Sequence, residues 1–114
     1  VNGVAIVSEH DLEWKRPADD WPGKVAPGEP EILYKFLHLW DDGRPALQRI
    51  RYEPGHFEAP HSHDRDEILY LFGGELKFGD RTIFPGMTVL IPADTRYSFL
   101  AGQAGADLVL FRTR

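Results

Sequence analysis

The sequence predicts an all-β domain, a jelly-roll barrel behind a polar amino-terminal arm. From Ile32 onward the chain is a series of short runs rich in Ile, Leu, Val, Phe and Tyr. Turn residues separate them at Asp41-Asp42-Gly43, Pro54-Gly55, Gly73-Gly74, Gly79-Asp80, Pro85-Gly86 and Ala101-Gly102. Such spacing is the pattern of a β-sandwich or barrel. No ten-residue stretch carries the apolar period of a helix. The connections are too short for the crossover that a parallel pair needs, so neighbours pair antiparallel and the meander curls into a small barrel of about eight strands.

Residues 1–31 form the arm and residues 32–114 the barrel. The arm is broken by Pro17, Pro22, Gly23, Pro27, Gly28 and Pro30, which forbid a long helix or a central strand. A short strand is expected at Val4 to Val7. Trp14 and Trp21 are too apolar to be left in water, so the arm is expected to pack on the barrel or on a second subunit. In the barrel the predicted strands are Ile32 to Trp40, Ala46 to Glu53, Phe57 to His61, Glu67 to Phe72, Glu75 to Phe78, Arg81 to Phe84, Thr88 to Ile91, Tyr97 to Leu100 and Asp107 to Phe111.

Composition narrows the function classes. With 114 residues, 42% hydrophobic and 27% charged, the chain has the size and balance of one soluble globular domain. No apolar run reaches the length of a bilayer-spanning helix, and Val1 to Val7 has neither the basic region nor the apolar stretch of a secretory signal. A cytoplasmic protein without membrane partners is therefore expected. The absence of cysteine excludes disulfides, thiolate zinc sites and cysteine nucleophiles, so a metal would need His, carboxylate, phenolate or water. A net charge of −5 and the lack of any basic run argue against nucleic acid.

The chemistry gathers between Gly55 and Gly74, in GHFEAPHSHDRDEILYLFGG. Side chains two apart on a strand share a face, so His61 and His63 project inward together if either does. A turn through Asp64, Arg65 and Asp66 returns the chain, and Glu67 opens the next strand opposite the imidazoles. Two neutral nitrogens and a carboxylate on one point form the ligand set of two-His-one-carboxylate sites, which leave positions open for substrate, water or dioxygen.

Gly55-x5-His61-x-His63-x3-Glu67-x6-Gly74 resembles the first motif of the cupin superfamily, matching all five of its defined positions. The stretch from Gly86 through Pro92, Asp94 and Tyr97 to Ala101 looks like the second cupin motif, G-x5-P-x-G-x2-H-x3-N. It departs from that motif at three places: Asp94 stands for its glycine, Tyr97 for its histidine and Ala101 for its asparagine. The resemblance runs from about Ile32 to Arg112. It implies a small single-domain cupin of the cupin-2, RmlC-like kind, with a double-stranded β-helix and one divalent metal ion (Fe, Mn, Ni or Zn) on His61, His63 and Glu67.

Tyr97 is the most informative departure, because a phenol with a reference pKa near 10 is a poor ligand until deprotonated. It is expected either to ligate the metal as a phenolate, to hydrogen-bond a metal-bound water, or to act with Glu67 as an acid or base on substrate. His56 is expected to point outward, being an odd number of residues from His61, unless Pro60 or a bulge changes the phase. His38 reads as a hydrogen-bonded core or pocket histidine, and His10 lies in the arm without an assigned role. Arg49 and Arg51 share one strand face and Ile50 and Tyr52 the other. The apolar pair is expected inside, although inward arginines would anchor an anionic substrate.

Together these readings imply a metal-dependent enzyme acting on a small organic molecule. By resemblance the choice is a dioxygenase, an isomerase or a lyase; a non-catalytic binding or sensing cupin is the alternative. The family and the Trp-bearing arm both imply a homodimer.

Overall fold

A computed structural model describes residues 3–17, 32–39 and 44–113. The predicted turn at Asp41-Asp42-Gly43, and Trp21 and Trp40, lie outside the described residues. Among the described residues there are seven strands: β1 Ile32–His38, β2 Ala46–Tyr52, β3 Phe57–His61, β4 Glu67–Phe78, β5 Arg81–Ile83, β6 Thr88–Ile91 and β7 Tyr97–Arg112. All pair antiparallel.

Two long strands make the barrel. The carboxyl-terminal part of β7 lies between β2 and the amino-terminal half of β4, giving one layer in the order β1-β2-β7-β4-β6. The other halves of the same strands pair β7 with β3 and β4 with β5, forming the facing layer. Each long strand thus serves both layers, where the sequence predicts four short strands divided by turns at Gly73-Gly74 and Ala101-Gly102.

The reason lies in the glycines, which act as bulges rather than turns. The β4·β7 register shifts between Leu71 and Gly73 and again between Gly74 and Leu76. Gly74 takes a φ of +71°, and a Cβ there would collide with the Gly105 carbonyl oxygen. Only glycine allows this backbone approach, and bulges of this kind bend a strand so that it passes from one layer to the other.

Alternation fills the space between the layers. Tyr34, Ile50, Leu69, Leu71 and Leu108 of the first layer meet Leu76, Ile83, Phe99 and Ala101 of the second in one buried cluster. Ile50 is buried while Arg49 and Arg51 lie on the opposite face, as alternation predicts. The arginines do not simply meet water, however. Residues of the arm cover them: Trp14 packs under Arg51 and Lys35, 4.4 and 4.6 Å from its ring centre, and Arg49 donates to Glu9 at 2.6 Å.

The expected strand at Val4 to Val7 does not form. Val4, Ile6 and Val7 are 58, 84 and 41% exposed, and no neighbouring strand takes up their backbone groups. The arm's contact with the sheet comes later, where Lys15 and Tyr34 exchange backbone hydrogen bonds at 2.9 Å. The arm also carries a short 3-10 turn at Glu9–Asp11, capped by Ser8, which accepts from the backbone N–H of His10.

Candidate metal centre

Five inward side chains meet at one end of the barrel. Glu67 opens β4 with 1% exposure, opposite Arg112 at the end of β7. His61 ends β3 and pairs in register with Tyr97, which opens β7. His63 follows in the connection to β4, fixed by the Asp94 N–H, which donates to the His63 carbonyl at 2.7 Å. Asp94 stands where the resembled motif has glycine and adopts the glycine-like φ of +61°. Aspartate tolerates that conformation better than most residues, so the substitution keeps the turn.

The polar atoms form a chain. Tyr97 Oη lies 3.1 Å from His61 Nε2 and 3.1 Å from Glu67 Oε1. His63 Nε2 is 3.6 Å from the same Oε1, and the two imidazoles meet edge to face with ring centres 4.9 Å apart. Arg112 holds the other carboxylate oxygen, donating to Oε2 from Nε at 3.0 Å and from Nη2 at 2.7 Å. His63 Nε2 and Tyr97 Oη thus both lie near Glu67 Oε1, and His61 is linked to Glu67 through the Tyr97 hydroxyl.

Proton counting assigns donors and acceptors in this cluster. His61 Nδ1 lies 2.8 Å from the Ala59 carbonyl, which only accepts, so Nδ1 carries a proton, and in the singly protonated ring Nε2 turns a lone pair towards Tyr97. Tyr97 has one proton for two acceptors. Burial and the adjacent Glu67 carboxylate push its phenol well above the ordinary value, so that proton stays on the oxygen. Burial also holds the His63 imidazole below its ordinary pKa, against the pull of Glu67. The site thus gathers two imidazoles, a phenol and a carboxylate around one guanidinium.

That donor set fits a divalent cation. It offers two neutral imidazole nitrogens and one carboxylate oxygen that Arg112 leaves free, and a backbone carbonyl orients His61 as metal-ligating histidines are oriented. Among the described residues, no group of three histidine or carboxylate side chains is already arranged to hold a metal ion.

Two participants escape the sequence reading. Arg112 is one: Leu108, Leu110 and Arg112 alternate onto the inner face, but the predicted strand stops at Phe111. Glu58 is the other. A register shift between Glu58 and His61 lets both face inward although they are three residues apart. His56 is drawn in by the same change of phase, correcting the outward expectation: its ring stacks on Tyr52 at 4.8 Å and its Nε2 lies 2.9 Å from Glu58 Oε2. The His56 contact holds the Glu58 carboxyl below its ordinary value, helped by the nearby His61 and His63. Tyr52, buried beside Glu58, has its phenol pushed far up by desolvation.

The remaining candidates lie elsewhere. His38 sits on the other side of the sheet, lining a surface cavity with Arg44, Leu47 and Phe111, and His10 lies in the 3-10 turn of the arm. The acidic turn is more than solvated surface: Asp66 accepts the Ala93 N–H through its carboxylate at 2.7 Å and the Thr113 N–H through its carbonyl at 2.9 Å. These bonds tie the His63 segment to the end of β7.

No protein-family profile matches the sequence, and comparison with curated proteins finds no match. Solved structures do match. The chain is similar to KdgF from a Halomonas species, at 20% identity and a TM-score of 0.71 over 97% of this chain and 94% of that one. It is similar to a candidate acetylacetone dioxygenase from Methylibium petroleiphilum, at 16% identity and a TM-score of 0.77 over 96 and 76% of the two chains. It is also similar to an RmlC-like cupin from Ralstonia eutropha, at 14% identity and a TM-score of 0.79 over 97 and 69%. Agreement this extensive at such low identity speaks for architecture and not for chemistry, and it gives the chain the fold of the RmlC-like cupins.

Proposed function

We propose that the protein is a metal-dependent cupin enzyme acting on a small organic molecule, with His61, His63 and Glu67 holding one divalent ion and Tyr97 beside it. The observation that carries this reading is the run of polar atoms His61 Nε2, Tyr97 Oη, Glu67 Oε1 and His63 Nε2, linked by separations of 3.1 to 3.6 Å. A bound divalent cation supplies Lewis acidity towards substrate oxygens and, if it is iron, a route to dioxygen. Tyr97 holds a proton at Oη for delivery to a substrate oxygen or carbon, and in the reverse direction the same oxygen takes it back, with Glu67 Oε1 orienting the hydroxyl. Arg112 orients Glu67 through two hydrogen bonds to Oε2.

The dioxygenase version draws on likeness to the candidate acetylacetone dioxygenase. It is tested by loading the purified protein with iron, manganese, nickel or zinc, counting bound metal, and following oxygen uptake with diketones and catechols. About one equivalent of metal with oxygen uptake supports the proposal. Bound metal without uptake on any substrate removes the oxygenase version alone. In a turning-over enzyme, Tyr97→Phe should keep its metal and lose activity by about 10²–10⁴-fold, the usual worth of a positioned acid or base.

A second reading, a non-catalytic binding or sensing cupin, is favoured by the salt bridge that already partners Glu67 with Arg112. Under that reading nothing turns over even with metal bound; under a tenth of an equivalent of metal, with His61→Ala and His63→Ala leaving stability nearly unchanged, marks a metal-free barrel instead. Action in the cytoplasm and homodimerisation belong to the proposal as well. No helix of the described residues is long and apolar enough to cross a membrane. Ile68, Tyr70, Phe72 and Leu90 leave the outer sheet face apolar and exposed, which supports a dimer measurable by light scattering.

A further inference from the structure

We infer that the substrate or ligand is a small molecule with an apolar body and one carboxylate or other oxyanion, seated between β1 and β2 with its charge on Arg112. This rests on the proposed site and names the ligand class it takes. A cavity of about 230 Å³ opens beside the polar cluster, lined by Pro17, Ile32, Tyr34, Phe36, Gln48, Ile50 and Arg112. Ile32, Tyr34 and Phe36 alternate onto one face of β1, and their partners Ile50 and Gln48 continue that face on β2. The wall is therefore apolar, with Tyr34 and Phe36 edge to face at 5.6 Å and Gln48 as a lone amide. The volume falls below the roughly 300–1,000 Å³ of sites for drug-sized ligands, so the occupant is small.

Arg112 gives the cavity its charge. Nε and Nη2 are spent on Glu67 Oε2, while Nη1 donates to no group among the described residues. The side chain is 31% exposed although its carboxylate partner is 1% exposed. A guanidinium fixed on one edge by a buried carboxylate, with its remaining donors open to an apolar cavity, is preorganised to take an oxyanion by charge-assisted hydrogen bonds. Arg49 and Arg51, the sequence's candidates for such an anchor, are instead engaged on the outer face with Glu9 and Asp107. The anchor is supplied by β7. A ligand held there lies on the far side of the Arg112–Glu67 pair from Tyr97, which meets the other carboxylate oxygen.

The test uses benzoate as an anionic probe and benzyl alcohol as its neutral counterpart. Both are titrated by amide NMR into the whole protein, with and without added zinc. Benzoate should bind at least about tenfold more tightly than benzyl alcohol, the worth of one charge-assisted contact, and shift the amides of Ile32, Gln48 and Ile50. Arg112→Met should abolish the preference. Ile32→Trp, which fills the cavity without touching the Arg112–Glu67 pair, should abolish binding of both probes and covers the case in which Arg112→Met fails to fold. Equal affinity for the two probes, shifts elsewhere, or binding unchanged in Ile32→Trp overturns the inference. Benzoate binding that requires zinc and is indifferent to Arg112 overturns it too, while leaving the metal site standing. An Arg112-dependent preference in protein that takes up no zinc sustains it while the metal reading falls.

Discussion

Two charged networks flank the same sheet, and they differ in what they leave unsatisfied. On the outer face, Lys35, Arg49 and Arg51 meet Glu9, Asp107 and the ring of Trp14. Lys35 donates to the Glu9 carbonyl at 2.9 Å, Arg49 bridges Glu9 and Asp107, and Arg51 reaches Asp107 at 3.3 Å. Every cation there has an anion, a carbonyl or an aromatic face, which is how a sheet surface is sealed beneath an arm. On the inner face, Glu58, Glu67, His56, His61, His63 and Tyr97 share one guanidinium, and one phenolic proton faces two acceptors. The outer network is closed, and the inner one is where the proposed cation would bind. Burial with complete pairing builds structure, whereas burial with an excess of lone pairs builds a site.

The largest effect is expected at Glu67. Glu67→Gln should abolish metal uptake and lower stability by about 2–3 kcal/mol. That is less than the roughly 3–5 kcal/mol for breaking a fully buried pair, because Arg112 is partly exposed. Urea denaturation and metal analysis of the same samples check both halves. Stability unchanged from wild type would place the inner pair on the same footing as a surface salt bridge and erase the contrast.

A smaller effect is expected outside. Arg49→Gln should cost about 1 kcal/mol by loosening the arm, with metal uptake and probe binding unchanged, since its contacts are to Glu9, Asp107 and the Leu108 carbonyl. Protection of the Lys15 and Tyr34 amides against hydrogen exchange should fall in step. Lost metal in this variant would show the two networks to be coupled through the sheet.

The motif spacing singled out His61, His63 and Glu67, but alternation reaches only His61, since β3 ends there and His63 lies in the connection to β4. The long-strand architecture was not legible. Gly73-Gly74 has the composition of a turn, and only the opposing Gly105 backbone decides that it is a bulge. Glu58 and His56 were hidden for a similar reason: a phase change beside Pro60 is invisible to a strict two-residue count. Arg112 was within reach, since the alternation Leu108, Leu110, Arg112 continues if the strand is carried one residue past Phe111. The arm's expected strand failed because Val4, Ile6 and Val7 have the residue types of a strand but no edge to join.

The smallest predicted effect concerns acid. The contact with His56 lowers the Glu58 carboxyl below its ordinary 4.5, so its contribution to stability is complete above that pH. It is lost as the pH falls through the depressed folded value, because the unfolded chain takes up the proton first. Glu58→Gln has no such proton to bind. The difference in melting temperature between wild type and this variant should therefore shrink as the pH is taken below 4.5, as thermal scans across that range would show.

The account stands or falls on whether the inner cluster binds one cation through His61 and His63. Imidazole nitrogen NMR of the whole protein during a zinc titration reads this directly. The Nε2 signals of His61 and His63 should move together and saturate near one equivalent, while those of His10 and His38 stay in place. Movement of His10 or His38 alone, or no change at His61 and His63 with zinc in excess, would contradict it.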